Sequence, residues 1–216
     1  MPSDNISLKS KKITARLPFL YLFILFAFIG CVNKQSQVEA QFGKGDKMSK
    51  KILVAYGSFA GSTAETAVFI GKKLSEKGMT ADVKPVEKIK TIEGYDAVII
   101  GSAVEMGKLK GSVIRFTEKN KAALTKVPVA IFVVCLTMQK DTPENRKTVS
   151  AYLDPIKAIV KPVGEGLFPG RIRYKDIPFP QSILTLMPAF KKAVPEGDWM
   201  NWGAVEAWVG EVEGKM

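Results

Sequence analysis

Histidine is absent from all 216 residues. That excludes a Ser-His-Asp triad, a Cys-His pair and every metal site built on imidazole. Cysteine is scarce as well. Cys31 and Cys135 lie far apart, which excludes a disulfide framework and a zinc spacing. No metal ligand and no catalytic side chain can be assigned on this basis. Any redox or transfer chemistry then falls to a cofactor, or to Asp, Glu, Lys, Tyr or Cys. Acids are outnumbered by bases, 21 to 32, for a net charge of +11. Residues 1–47 hold seven Lys/Arg against three acids, so most of the excess belongs to the rest of the chain. Nucleic acid is not an expected partner, because no basic helix or aromatic-interleaved basic patch is present. An anionic membrane surface or an anionic small substrate accounts for the charge equally well.

Two familiar phosphate motifs are also missing. A Walker loop needs G-x-x-x-x-G-K-[ST], but three residues separate Gly57 from Gly61 and no Lys follows. The dinucleotide fingerprint G-x-G-x-x-G does not occur. What is present is Lys51–Thr66, KILVAYGSFAGSTAET. Ile52–Tyr56 is a short apolar run suited to a strand buried on both faces. Gly57–Thr63 is a loop of small residues, and a helical pattern follows it. A strand, a Gly/Ser/Thr loop and a helix N-terminus make a phosphate cradle, with converging N–H groups and a favourable dipole. On spacing alone, an ordinary strand-to-helix turn remains open.

Residues 9–31 read as a targeting segment: Lys9, Lys11, Lys12 and Arg16, then a short apolar stretch Leu17–Ile29. It ends in Phe28-Ile29-Gly30-Cys31, which resembles a bacterial lipobox. The expectation for 1–31 is a cleaved leader with lipid on Cys31, or else an uncleaved anchor. Either form associates the protein with a membrane through its N-terminus. Residues 32–47 are polar and aperiodic, and are expected to be a tether. Met48-Ser49-Lys50-Lys51 resembles a second start, and translation from Met48 would give a cytoplasmic protein. The folded domain is expected over 48–216.

Within it, strands and helices alternate. Ala64, Ala67, Val68, Gly71 and Leu74 share one helical face, ending at Lys77-Gly78. Thr80–Pro85 alternates like an outer strand. Ala97–Ile100 is a buried strand stopping at Gly101-Ser102-Ala103, with a loop to Gly107. Gly111–Leu124 should be helical, and Val127–Val134 a central strand. Thr142-Pro143-Glu144 is a helix start with Thr as N-cap, and that helix should break near Asp154-Pro155. Gly164–Phe168 is the last strand. Residues 169–198 are irregular, and a final helix from Trp199 turns Trp202, Val205, Val209 and Val212 inward. Alternation of this kind implies a mostly parallel sheet covered on both faces, with its ligand at the carboxyl ends of the strands. Loops Gly57–Thr63, Ser102–Gly107 and Cys135–Thr142 should converge there.

Ser58-Phe59-Ala60-Gly61-Ser62-Thr63 resembles the phosphate loop of the flavodoxins, a Ser/Thr-x-x-Gly-x-Thr run after the first strand. The resemblance extends over Lys51 to about Val212. It implies a three-layer α/β sandwich with a five-stranded parallel sheet, order 2-1-3-4-5, an insertion before the last helix, and FMN as cofactor. Ser58, Ser62 and Thr63 would then bond the phosphate through hydroxyls, and Phe59, Ala60, Gly61 and their neighbours through backbone N–H groups. Ser102, Ala103, Val104, Leu136 and Thr137 would border the flavin ring. The cradle holds no Lys or Arg, so backbone dipoles would carry the phosphate.

Within the family the chain is similar to the flavodoxin-type protoporphyrinogen dehydrogenases. The similarity lies in Ile100–Val104, the insertion, Arg171–Tyr174 and Asp198-Trp199. It implies a quinone or a redox protein as electron partner. A non-enzymatic electron-transfer flavodoxin, tethered to the membrane, is the alternative. Two departures weigh against a soluble carrier: Val104-Glu105-Met106 supplies no stacking aromatic, and the domain is basic. The insertion places Ile183, Leu184, Leu186, Met187 and Phe190 after a basic Arg171–Lys175. It is either an amphipathic element packed on the domain or a partly exposed apolar face.

Overall fold

The structure, a computed structural model, describes residues 37–43 and 49–216. The leader, Cys31 and Met48 lie outside the described residues. Among those described, no helix is long and apolar enough to cross a membrane.

Strand β1 is Ala40–Phe42, β2 Lys51–Gly57, β3 Thr80–Pro85, β4 Ala97–Glu105, β5 Lys108–Leu109, β6 Val129–Cys135 and β7 Gly164–Pro169. Five of these run parallel in the order β3-β2-β4-β6-β7, the expected 2-1-3-4-5 pattern. Helices α1 (Ser62–Glu76), α2 (Gly111–Lys119), α3 (Lys121–Leu124), α4 (Pro143–Tyr152) and α5 (Asp154–Lys157) lie between the strands. The insertion contains β8 (Arg171–Ile172), a 3₁₀ segment Gln181–Leu186, α6 (Pro188–Ala193) and β9 (Gly197–Asp198). Helix α7 (Trp202–Glu213) closes the chain.

Successive side chains of a strand point to opposite faces, and β2 shows the consequence. Ile52, Val54 and Tyr56 enter the core shared with α1 and α7, while Leu53 and Ala55 enter the core beneath α2, α4 and α5. Both faces are therefore dry, which is why the run is apolar throughout.

Several expectations need correction. Residues 40–42, assigned to the tether by composition, pair antiparallel with β3. Ala40 and Phe42 pack on the core, so β3 is covered and buried on both faces instead of being the outer strand. Strand β4 does not stop at Gly101. It runs to Glu105 and returns through a hairpin whose central residues Met106 and Gly107 both have positive φ, 51° and 76°. That is the tight turn whose twist suits paired strands. The helix expected over 111–124 breaks at Asn120. The break before Pro155 and the Thr142 cap occur as read, with Thr142 Oγ1 accepting from the Asn145 N–H at 3.2 Å. The last helix begins at Trp202, and Trp208 is buried in place of Trp202.

Tyr56 ties β1 to this frame. It is wholly buried, and its hydroxyl donates to the Val38 carbonyl at 2.6 Å. Burial pushes its pKa up to about 12 from 10.0. The unfolded chain therefore ionises first, and Tyr56 contributes stability below pH 10 that is lost as pH rises through about 12. Tyr56→Phe should cost about 1 kcal/mol at neutral pH by removing that bond. It should also flatten the alkaline fall in stability, measured as urea midpoints against pH. A midpoint that stays at the wild-type value at pH 7 would show that the Val38 bond contributes nothing.

Candidate functional site

The cradle forms where β2 ends. Ser58 is buried, and its Oγ accepts from the Gly61 N–H at 3.1 Å, folding the loop back on itself. Gly61 then takes φ 99° as the residue before α1, a conformation that side chains resist. Helix α1 therefore starts without any side-chain cap, and its first-turn N–H groups remain available for an anion. Thr63 sits in that first turn, 1 % exposed, and its Oγ1 is buried without a hydrogen-bond partner. Buried hydroxyls are rarely left unsatisfied, so an uncapped helix start beside an orphaned hydroxyl fits a phosphate.

The carboxyl ends of the strands converge as expected. A cleft of about 190 Å³ is lined by Phe59, Ala60 and Ser62 from the first loop, Ala103 and Val104 from β4, and Leu136 after β6. Ser102 is not part of this wall. It is fully buried, its Oγ donating to the Ala103 carbonyl at 2.8 Å and accepting from the Lys110 N–H at 3.0 Å. It fastens the start of α2 to β4. Thr137 also lies off the cleft, and its carbonyl accepts from Asn145 Nδ2 at 3.1 Å.

Sequence reasoning named none of the remaining lining residues for the site, although Glu105, Met106 and Cys135 fall in loops expected to converge there. Glu105 and Met106 come from the hairpin, Cys135 from the end of β6, and Gly170, Arg171 and Ile172 from the chain leaving β7. The signal for the last three was available, since β7 ends at the same edge of the sheet as the other parallel strands. Cys135 is free and buried, and burial pushes its thiol pKa up, so it is a neutral wall residue at ordinary pH.

Arg171 brings a cation close to a cradle that itself contains none. Its side chain is 11 % exposed and pairs with Glu65 in the first turn of α1, and with Asp198 at 3.5 Å. The hydrogen bond it donates to Glu65 raises its pKa further, against the effect of burial. With two carboxylates around it, its charge is already compensated. The phosphate would still rest on N–H dipoles and hydroxyls. Phe59, the one aromatic in the cleft lining, comes from the first loop and not the second.

A parallel 2-1-3-4-5 sheet with an anion cradle at its carboxyl edge defines a phosphate-binding protein of the open α/β class. Residues 53–187 match the family model described as "Flavodoxin domain", and the chain belongs to that family. Its cofactor is FMN, and the uncapped helix start, the Thr63 hydroxyl and the converging loops fit that group.

The chain is similar to "Protoporphyrinogen IX dehydrogenase [quinone]" of Escherichia coli. Identity is 33 % over 98 residues, covering 44 % of this chain and 53 % of that protein. The chain thus spans about half the length of the curated relatives it matches. Among solved structures it is similar to a flavodoxin from Streptococcus pneumonia TIGR4 (TM-score 0.49, 16 % identity, 77 % of this chain and 99 % of that one). It is also similar to Flavodoxin 1 from Bacillus cereus (TM-score 0.44, 20 % identity, 67 % and 99 %).

Proposed function

We propose that this flavodoxin-type oxidoreductase is an enzyme that oxidises a porphyrinogen and passes the electrons to a quinone. The observation that carries the reading is the Glu105–Lys108 hairpin at the cleft rim. It presents Met106, 96 % exposed, where an electron carrier of this family would place a stacking ring. A flexible thioether beside Val104, Leu136 and Ile172 leaves an apolar, adaptable wall for a broad flat substrate. The partial likeness to a protoporphyrinogen dehydrogenase supports the same direction.

FMN, when bound, supplies the redox chemistry of the site. The protein's own residues do the holding and shaping. Phe59–Thr63 offer N–H groups and hydroxyls to the phosphate. Ala103, Val104 and Leu136 exclude water beside the ring. Lys108, exposed beside the hairpin tip, would meet the substrate's carboxylates. Protons and electrons lost by the porphyrinogen end on the quinone as quinol, so no other oxidant is needed.

Membrane attachment through the N-terminal leader suits a lipid-soluble acceptor. A lipidated Cys31 would place the domain outside the cytoplasm, whereas haem synthesis lies inside, and mass spectrometry of the mature N-terminus decides between them. The activity test is anaerobic incubation of the flavin-loaded chain with protoporphyrinogen and a menaquinone analogue. Porphyrin fluorescence should grow in step with quinone consumption, and the gene should rescue a haem-deficient strain. A yellow, well-expressed protein that gives neither result is a tethered electron carrier.

A further inference from the structure

The insertion carries a second surface, none of whose residues lines the cleft. Its 3₁₀ segment Gln181–Leu186 brings positions three apart into one ridge. Ser182 and Thr185 form the inner ridge: both are half-buried, and Thr185 Oγ1 donates to the Ser182 carbonyl at 2.6 Å. Ile183 with Leu186, and Leu184 with Met187, form two outward ridges. These four side chains are 52 %, 77 %, 44 % and 52 % exposed in that order. No residue of this segment or of α6 is buried. Single apolar residues on a surface are ordinary, but adjacent ridges of them mark a contact face.

The flanking charge is equally uneven. Residues 177–195 contain no Asp or Glu, whereas Lys175, Lys191 and Lys192 are all exposed. We propose that this face docks on an anionic lipid bilayer. Ile183, Leu184, Leu186 and Met187 enter the boundary between headgroups and acyl chains, and the lysines stay at the level of the lipid phosphates. Charge decides between occupants. A second copy of the chain would bring like lysine pairs together across a two-fold interface, whereas an anionic bilayer attracts them. This contact is distinct from any made by the N-terminal leader and does not rest on the reaction proposed above.

The test reads the face itself, because the leader alone can carry the chain to a membrane. Leu186→Trp is introduced into the full chain and mixed with phosphatidylglycerol vesicles whose acyl chains are brominated. The added indole should shift to the blue and be quenched by bromine, while the wild-type tryptophans are not. Neutral phosphatidylcholine vesicles should give no quenching. Lys191→Gln and Lys192→Gln should each raise the lipid concentration for half-quenching by about fivefold. Ile183→Trp serves as a second reporter should Leu186→Trp disturb the segment, and unchanged flavin content confirms the fold of each. The proposal is overturned if the chain sediments with the vesicles while neither introduced indole is quenched. It is also overturned if the blue shift grows with protein concentration in the absence of lipid, since a second copy then covers the face.

Discussion

Thr63→Glu should purify colourless. The side chain of Thr63 is 1 % exposed in the first turn of α1, and its hydroxyl has no protein partner. A glutamate there lays a carboxylate beside the place of the FMN phosphate. Arg171, the basic residue of the cleft lining, is already held between Glu65 and Asp198. An uncompensated buried charge costs about 3–5 kcal/mol, and each 1.4 kcal/mol is a factor of ten in affinity. FMN should therefore bind at least about a hundredfold more weakly, read by flavin absorbance after gel filtration. Full retention of flavin by a folded Thr63→Glu protein would place the cradle elsewhere.

The companion substitution separates a ligand role from a structural one by sign. Thr63→Val keeps the shape and removes only the hydroxyl. Without flavin, the protein loses an unsatisfied buried polar atom, so its stability should hold or rise by about 1 kcal/mol. With flavin, a hydrogen bond to phosphate is lost, and affinity should fall by about tenfold. A hydroxyl that served the fold would instead lower the stability of the flavin-free protein.

The buried strands were legible because strands covered on both faces are written as unbroken apolar runs, and Ile52–Tyr56 and Val129–Val134 are such runs. Their order came from the likeness of Ser58–Thr63 to the flavodoxin phosphate loop. The cradle was legible because its backbone geometry demands small residues in sequence. The length of β4 was not. Gly101-Ser102-Ala103 has the composition of a loop, yet here small size is a packing requirement: a Cβ on Gly101 would lie 2.1 Å from the Phe132 ring. Strand β1 escaped because the alternation Val38-x-Ala40-x-Phe42 is too short to stand out from a polar stretch. The choice between Trp202 and Trp208 turned on where α7 begins, since both fit a helical face with Val205, Val209 and Val212. Trp202 starts the helix, 37 % exposed, with its ring 4.9 Å from that of Phe69. Arg171 was recognised as basic, but its partner Glu65 is more than a hundred residues away, and no local pattern encodes such a pair.

Phe132→Ala should be the most destabilising single truncation in the β-sheet core. Phe132 is wholly buried in β6, with ring centroids 6.2 Å from Phe168 and 6.1 Å from Trp208, which are themselves 5.7 Å apart. Gly101 on β4 leaves the space its ring fills, and Gly166 on β7 leaves the space for the neighbouring Phe168 ring. Truncation leaves a hole floored by strand backbone and walled by two rings, which cannot collapse. A loss of about 3–5 kcal/mol follows, a large part of the 5–15 kcal/mol typical of a domain. The urea midpoint should drop with the slope unchanged. Gly101→Ala should also destabilise, by about 1–3 kcal/mol, through overpacking against the same ring. The two changes should not add. In the double variant the new methyl enters the space vacated by the ring, so it should be more stable than Phe132→Ala alone. Strictly additive costs would show that the glycine and the ring are not matched to each other.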